Sequence, residues 1–163
     1  MTKEAAQRAL DVIQNLGGEA EEFRSKWLTV HAFASEFEHN NQRTSLIQAM
    51  ESALTETQAN EILEHLESEI NYLHNHPVGN LQFGSSHKEF FQNAQQDIAQ
   101  VRLSDRKAVN RLGHLICVVY QVRCNTEHGK KELGENRSQK LFSICNKVMG
   151  LIIPGLIREA NAA

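Results

Sequence analysis

The sequence predicts an all-α fold, a bundle of about six to seven helices. Three observations carry that expectation. Apolar residues recur at helical spacing in segment after segment, and clean two-residue alternation is almost absent. Aromatic residues make up only 6% of the chain, while Glu, Gln, Leu and Ala are frequent, a balance that suits helices better than sheets. Two prolines and nine glycines leave little material for long irregular tracts. A length of 163 residues suits one domain with a sizeable core, so residues 1–163 are read as a single domain.

Ala6, Ala9, Leu10, Ile13 and Leu16 follow helical spacing, which predicts a first helix over 3–16 that stops at Gly17 and Gly18. A second helix is expected over 19–38, with Glu19, Glu21 and Glu22 favouring its N-terminal dipole. Phe23, Trp27, Val30, Ala34 and Phe37 make its buried stripe. A short helix follows over 44–54. A longer one spans 56–74, with Ile62, Leu63, Leu66, Ile70 and Leu73 facing inward. Pro, Gly, Asn and Ser mark 75–86 as the longest loop. A modest helix is expected over 87–101. Ser104 and Asp105 then offer a capping hydroxyl and a first-turn acid for a helix running to Cys124. The last helix, 135–160, contains Pro154, which should kink it or interrupt its hydrogen bonding.

The N-terminal segment MTKEAAQRAL has no apolar stretch of signal-peptide length. The apolar runs LICVV and MGLII are too short to span a bilayer. Cys117, Cys124 and Cys145 make an odd count without metal-type spacing, as expected for buried or free thiols in a reducing cytoplasm. Charge is unevenly spread behind a net of −3. Residues 1–75 hold five Lys/Arg against thirteen Asp/Glu, whereas residues 102–140 hold nine against four. A basic segment in an otherwise acidic chain suits an anionic partner, although a solvated helix face gives the same count.

Within that basic segment, Leu112, Leu115, Ile116 and Val119 form one stripe of the helix expected over 105–124. Arg123 lies four residues after Val119 and seven after Ile116, on the same stripe. A guanidinium cannot shed its proton to escape burial, so an anion should meet it or the stripe should open there. The alternatives are an arginine serving the helix C-terminus and one paired with a buried Glu. Asn125, His128, Gly129, Lys130 and Lys131 follow within eight residues. Together they suit the holding of a phosphate and the movement of a proton beside it.

The segment YQVRCNTEHGKK, with Arg123 and His128 separated by four residues at a helix end, resembles the HEPN family (higher eukaryotes and prokaryotes nucleotide-binding domains). The likeness is to a bacterial, ribonuclease-like branch. It covers residues 105–155 and places the motif at the junction of the last two long helices; residues 1–100 match no family pattern, and the N-terminal helical portion 1–75 has no assigned role. Cys124, rather than a polar residue, directly follows the arginine, and Asn125 comes one place later. The resemblance implies a metal-independent endoribonuclease of toxin–antitoxin or antiviral-defence systems, without cofactor, acting as a homodimer. A protein antitoxin is a further partner it implies. Arg123, His128 and Asn125 would be catalytic, and Lys130 and Lys131 would bind RNA. Some family members instead only bind nucleotide, RNA or protein.

The last helix adds to the dimer expectation. Apolar residues from Leu141 to Leu156 cover more than half its circumference, which suits either a second copy or a central place within one chain. The other histidines are expected to be structural or exposed. His74 and His76 lack matching metal ligands, and His114 points away from the Arg123 face. Cys124 is expected to pack rather than react.

Overall fold

The computed structural model describes residues 18–37, 41–84, 86–127 and 135–162. Among them are seven helices: α1 (Gly18–Ala34), α2 (Gln42–Ala53), α3 (Glu56–His65), α4 (Glu67–Asn75), α5 (Gln92–Val101), α6 (Ala108–Glu127) and α7 (Glu135–Ala162). The all-α bundle is thus the observed architecture. The helix expected over 3–16 lies outside the described residues.

α6 is the axis. Leu112, Leu115, Ile116, Cys117, Val118, Val119 and Val122 are all buried, so the helix is covered on every side through its middle. It packs against α2, α3 and α5, while α7 packs chiefly against α1 and also touches α2. One apolar cluster runs through all seven helices.

Local chemistry explains several ends. Asn41 caps α2 by accepting from the Arg43 amide at 2.9 Å. Thr55 and Gln58 form a reciprocal capping box at the start of α3. α6 differs from expectation: its cap comes from another helix. The Glu56 carboxylate accepts from the amides of Ala108 at 2.9 Å and Val109 at 3.0 Å. Ser104 and Asp105 lie in a turn before the helix begins. Those two backbone hydrogen bonds hold the Glu56 pKa below the usual glutamate value, helped by Lys107 and Arg111.

Two other boundaries moved. The helix expected over 56–74 is two helices, broken at Leu66. No glycine or proline marks the break. Instead α3 packs on α6 while α4 packs on α5, and the fully buried Leu66 sits at the change of direction. The segment expected to begin a helix at 87 forms turns until Gln92, because Asn80 donates its amide to the Phe90 carbonyl and ties that stretch to the preceding loop. The Phe90 ring occupies the space that a Cβ on Gly79 would need.

α7 remains helical through Pro154 to Ala162. Leu141, Phe142, Ile144, Cys145, Val148, Met149, Ile152 and Leu156 are buried within the chain. The apolar excess of α7 is therefore taken up largely by α1 and α2, and does not itself call for a second copy. Arg137–Ala162 is long and apolar enough to cross a membrane by length and composition, unlike the short runs weighed in the sequence. Over half of its most apolar window (56%) is buried in the bundle, as in a core helix.

At Gly113, α6 meets α2 with no room to spare: a Cβ there would come within 2.9 Å of the Ile47 Cα. Gly113→Val should destabilise the fold by about 1–3 kcal/mol through overpacking. At Gly150 an added Cβ meets only the mobile end of Lys26, so Gly150→Ala should be neutral or stabilise by up to about 1 kcal/mol. Urea titration of the two variants checks both signs.

Acid should also weaken the cap of α6. A carboxylate with a lowered folded pKa stabilises the fold above its unfolded pKa, and that contribution is lost as pH falls through the folded value. Thermal melts across the acid range should show a shallower loss of stability for Glu56→Gln than for the wild type.

Candidate functional site

The apolar stripe of α6 is sealed from Leu112 through Val122 and ends at Arg123, which is half-buried. Tyr120, one turn earlier, stacks on Trp27 of α1, with ring centroids 5.9 Å apart and planes 21° from parallel. Partial burial lowers the Arg123 pKa, and the like charge of Arg24 on α1 lowers it further. The guanidinium stays charged, since a lowered arginine pKa still lies far above neutrality. Tyr120 moves the other way. Burial raises its pKa, as does a side-chain hydrogen bond with Cys124, while Arg43 and Arg123 act in opposition. The C-terminal half of α6 thus brings Arg123, a half-buried phenol and a half-buried thiol together beside a second arginine.

Asn125 is placed differently from its expected role. Its side chain is buried and committed to the loop after α4. Its Oδ1 accepts from the Leu81 amide at 3.1 Å and from Gln121 Nε2 at 3.0 Å, and its Nδ2 donates to the Gly79 carbonyl at 2.7 Å. Asn125 thus anchors that loop, because buried loop backbone needs these partners. His128, Lys130 and Lys131 lie outside the described residues.

A second polar cluster escaped the reading of the sequence. Asp97 of α5 is 1% exposed, and its Oδ1 accepts from the Arg43 guanidinium and from His114 Nδ1, the latter at 2.9 Å. Burial works against the Arg43 cation, but the hydrogen bond to Asp97 and nearby acidic groups outweigh it and raise its pKa. Cys117 donates its thiol to the Arg43 carbonyl, and burial together with the Asp97 charge pushes its pKa up to about 12. His114 is therefore structural, as expected, with a carboxylate as its partner. One signal was legible: Asp97 falls three residues after Ala94 and four before Val101, inside the apolar stripe of its own helix. The cluster ties α2 and α5 to α6. With Asp97 sealed from solvent, a substrate cannot reach it.

Two open depressions, of about 370 and 430 Å³, flank Arg111 near the start of α6. Twelve residues separate Arg111 from Arg123, or ~18 Å along a helix. Neither depression belongs to the Arg123 site. Among the described residues, no group of three or more His, Cys, Asp or Glu is placed to hold a metal ion. No family model, no curated protein and no solved structure matches this chain.

Removing one partner of the Arg43–Asp97 pair should expose its asymmetry. Arg43→Ala strands a buried carboxylate and should cost about 3–5 kcal/mol. Asp97→Ala should cost about 1.5–3 kcal/mol, because Arg43 is 29% exposed and can turn to water. The double variant should be more stable than the sum of the two losses implies, which a denaturation double-mutant cycle measures.

Proposed function

We propose that the chain is a metal-independent endoribonuclease that acts as a homodimer, with Arg123 and His128 as its chemical pair. One observation supports the reading above all: the sealed seam of α6 ends at a half-buried cation that stands beside a second cation, Arg24. Five residues later comes a histidine, and two lysines follow it. Positive charge held at a partly desolvated spot stabilises charge that develops on a phosphoryl group.

The ribose 2′-hydroxyl attacks the adjacent phosphorus. His128 takes the hydroxyl proton, and His128 of the partner subunit protonates the departing 5′ oxygen. The products are a 2′,3′-cyclic phosphate and a 5′-hydroxyl end. Each proton transfer can contribute ~10²–10⁴-fold. Arg123 stabilises the charge on the non-bridging oxygens. Lys130 and Lys131 draw in the RNA backbone, so affinity falls as salt rises. One histidine per chain serves as both acid and base only across two copies, which is the reason for the dimer.

A second reading is a catalytically silent module that binds RNA or nucleotide through the same basic surface. The commitment of Asn125 to loop backbone favours it, since that removes one of the three groups expected to do chemistry.

Incubation of varied single-stranded RNAs with purified protein and chelator separates the two. The nuclease should yield cyclic-phosphate ends. His128→Ala should slow cleavage by at least ~10²-fold with little loss of RNA binding. Arg123→Ala should impair both. Wild-type protein that binds these RNAs yet leaves them intact would replace the nuclease with the silent module.

A further inference from the structure

The loop that Asn125 anchors has a second tie, from the start of α7. Arg137 donates to the Tyr72 hydroxyl at 2.7 Å and to the carbonyls of His76 at 2.7 Å and Pro77 at 3.2 Å. Asn125, near the end of α6, holds Gly79 and Leu81 of the same stretch. Residues 76–81 therefore fasten the end of α6 to the start of α7. His76 stands three residues before Gly79, at most ~10 Å of extended chain, so it lies close to the last turns of α6, where Arg123 stands.

Around Tyr72 the chain gathers an exposed ring and two cations. The His76 imidazole stacks on Tyr72, with centroids 4.5 Å apart and planes 22° from parallel. Its Nδ1 lies 3.2 Å from the Tyr72 carbonyl, a hydrogen bond when that nitrogen carries the proton. Arg137 Cζ and Lys140 Nζ each stand 5.3 Å from the centroid of the Tyr72 ring. Arg137 is committed to the hydroxyl and the two carbonyls, whereas His76 and Lys140 are exposed. Among the described residues Lys140 has no carboxylate partner. A ring already ordered from one side loses little freedom when a second flat ring covers its open face. An ammonium close by attracts the phosphate attached to that second ring. Stacking ring and adjoining cation together are what hold an unpaired nucleotide.

We propose that His76 and Lys140 form a nucleotide subsite for single-stranded RNA: an unpaired base stacks on the outer face of the His76 imidazole, and its phosphate meets the Lys140 ammonium. Tyr72 supports the imidazole from beneath, and Arg137 holds Tyr72 and the backbone of His76 in place. This rests on the ribonuclease reading and adds to it a grip on the strand away from the scissile bond, at the end of α4, which the family resemblance does not cover.

The test is fluorescence anisotropy with the full chain at several salt concentrations and two labelled strands that cannot be cleaved. One is a 2′-O-methylated RNA of mixed sequence; the other is an abasic strand of the same length. The wild type should bind the RNA at least about fivefold more tightly than the abasic strand, the order expected for one stacked base. His76→Ala should weaken RNA binding by about the same factor and leave abasic binding unchanged. His76→Phe keeps a ring and carries no charge, so it should bind RNA as the wild type does. Lys140→Ala should reduce the log–log salt slope by about 0.7, the share of one phosphate on a single strand. Thermal midpoints matching the wild type show that these exposed substitutions leave the fold in place. Equal wild-type affinity for the two strands would overturn the stacking role, whether or not any variant folds. Weak binding by a folded His76→Phe would overturn it too, and an unchanged slope for Lys140→Ala would take that lysine out of the subsite. Unchanged RNA affinity for His76→Ala, with wild-type cleavage of ordinary RNA intact, would remove the subsite and leave the nuclease standing. A wild-type chain that binds neither strand and cleaves no RNA would end both readings.

Discussion

Between Leu112 and Val122, α6 is surrounded by other helices, and a helix so placed cannot satisfy its polar groups with water. Three of its polar ties reach other parts of the chain. At its start the Glu56 carboxylate takes the first free amides. At its middle His114 turns to Asp97, which Arg43 also holds. Near its end Asn125 turns to the loop at Gly79 and Leu81. These three ties fix α6 lengthwise, while apolar packing fixes it sideways. The position of everything on α6, Arg123 included, follows from them.

Sealing the seam also sets the electrostatics of its end. Water is excluded up to Val122, so charge at Arg123 is felt more strongly than charge on an open helix face. The Trp27–Tyr120 stack brings α1 to the same place. Three acids of the N-terminal half are engaged within the fold. Glu56 caps α6, Glu22 pairs with Lys26, and Glu69 binds Lys147 of α7. At Glu69, partial burial opposes the charge, but Lys147 together with hydrogen bonds from Ser68 and the Glu69 amide outweighs it and lowers the pKa. The uneven charge seen in the sequence is thus partly structural, with acids placed where helix ends and neighbouring lysines need them.

The places where sequence and structure part share a cause. Ser104 and Asp105 had the right chemistry for a cap, yet a carboxylate from α3 does that work, because α3 runs past the start of α6. Ile62, Leu63, Leu66, Ile70 and Leu73 read as one apolar face, and the face is real. It bends at Leu66 because its two halves meet different helices, a fact no local signal carries. Asp97 was visible as a carboxylate inside an apolar stripe, but its partners sit on two other helices. Asn125 was visible as a polar group beside Arg123. Only the path of the loop decided that its amide faces backbone.

By itself the sequence determined the helical class, the apolar stripes of α1 and α6, and an arginine at the end of a buried seam. These depend on residue spacing along one helix, which 3.6-residue periodicity encodes directly. The tertiary structure decided which helix caps α6, where the long apolar run breaks, and what Asn125 and Asp97 bind. Each of these joins residues far apart in the chain, and distance in sequence says nothing about distance in space until the helices have packed.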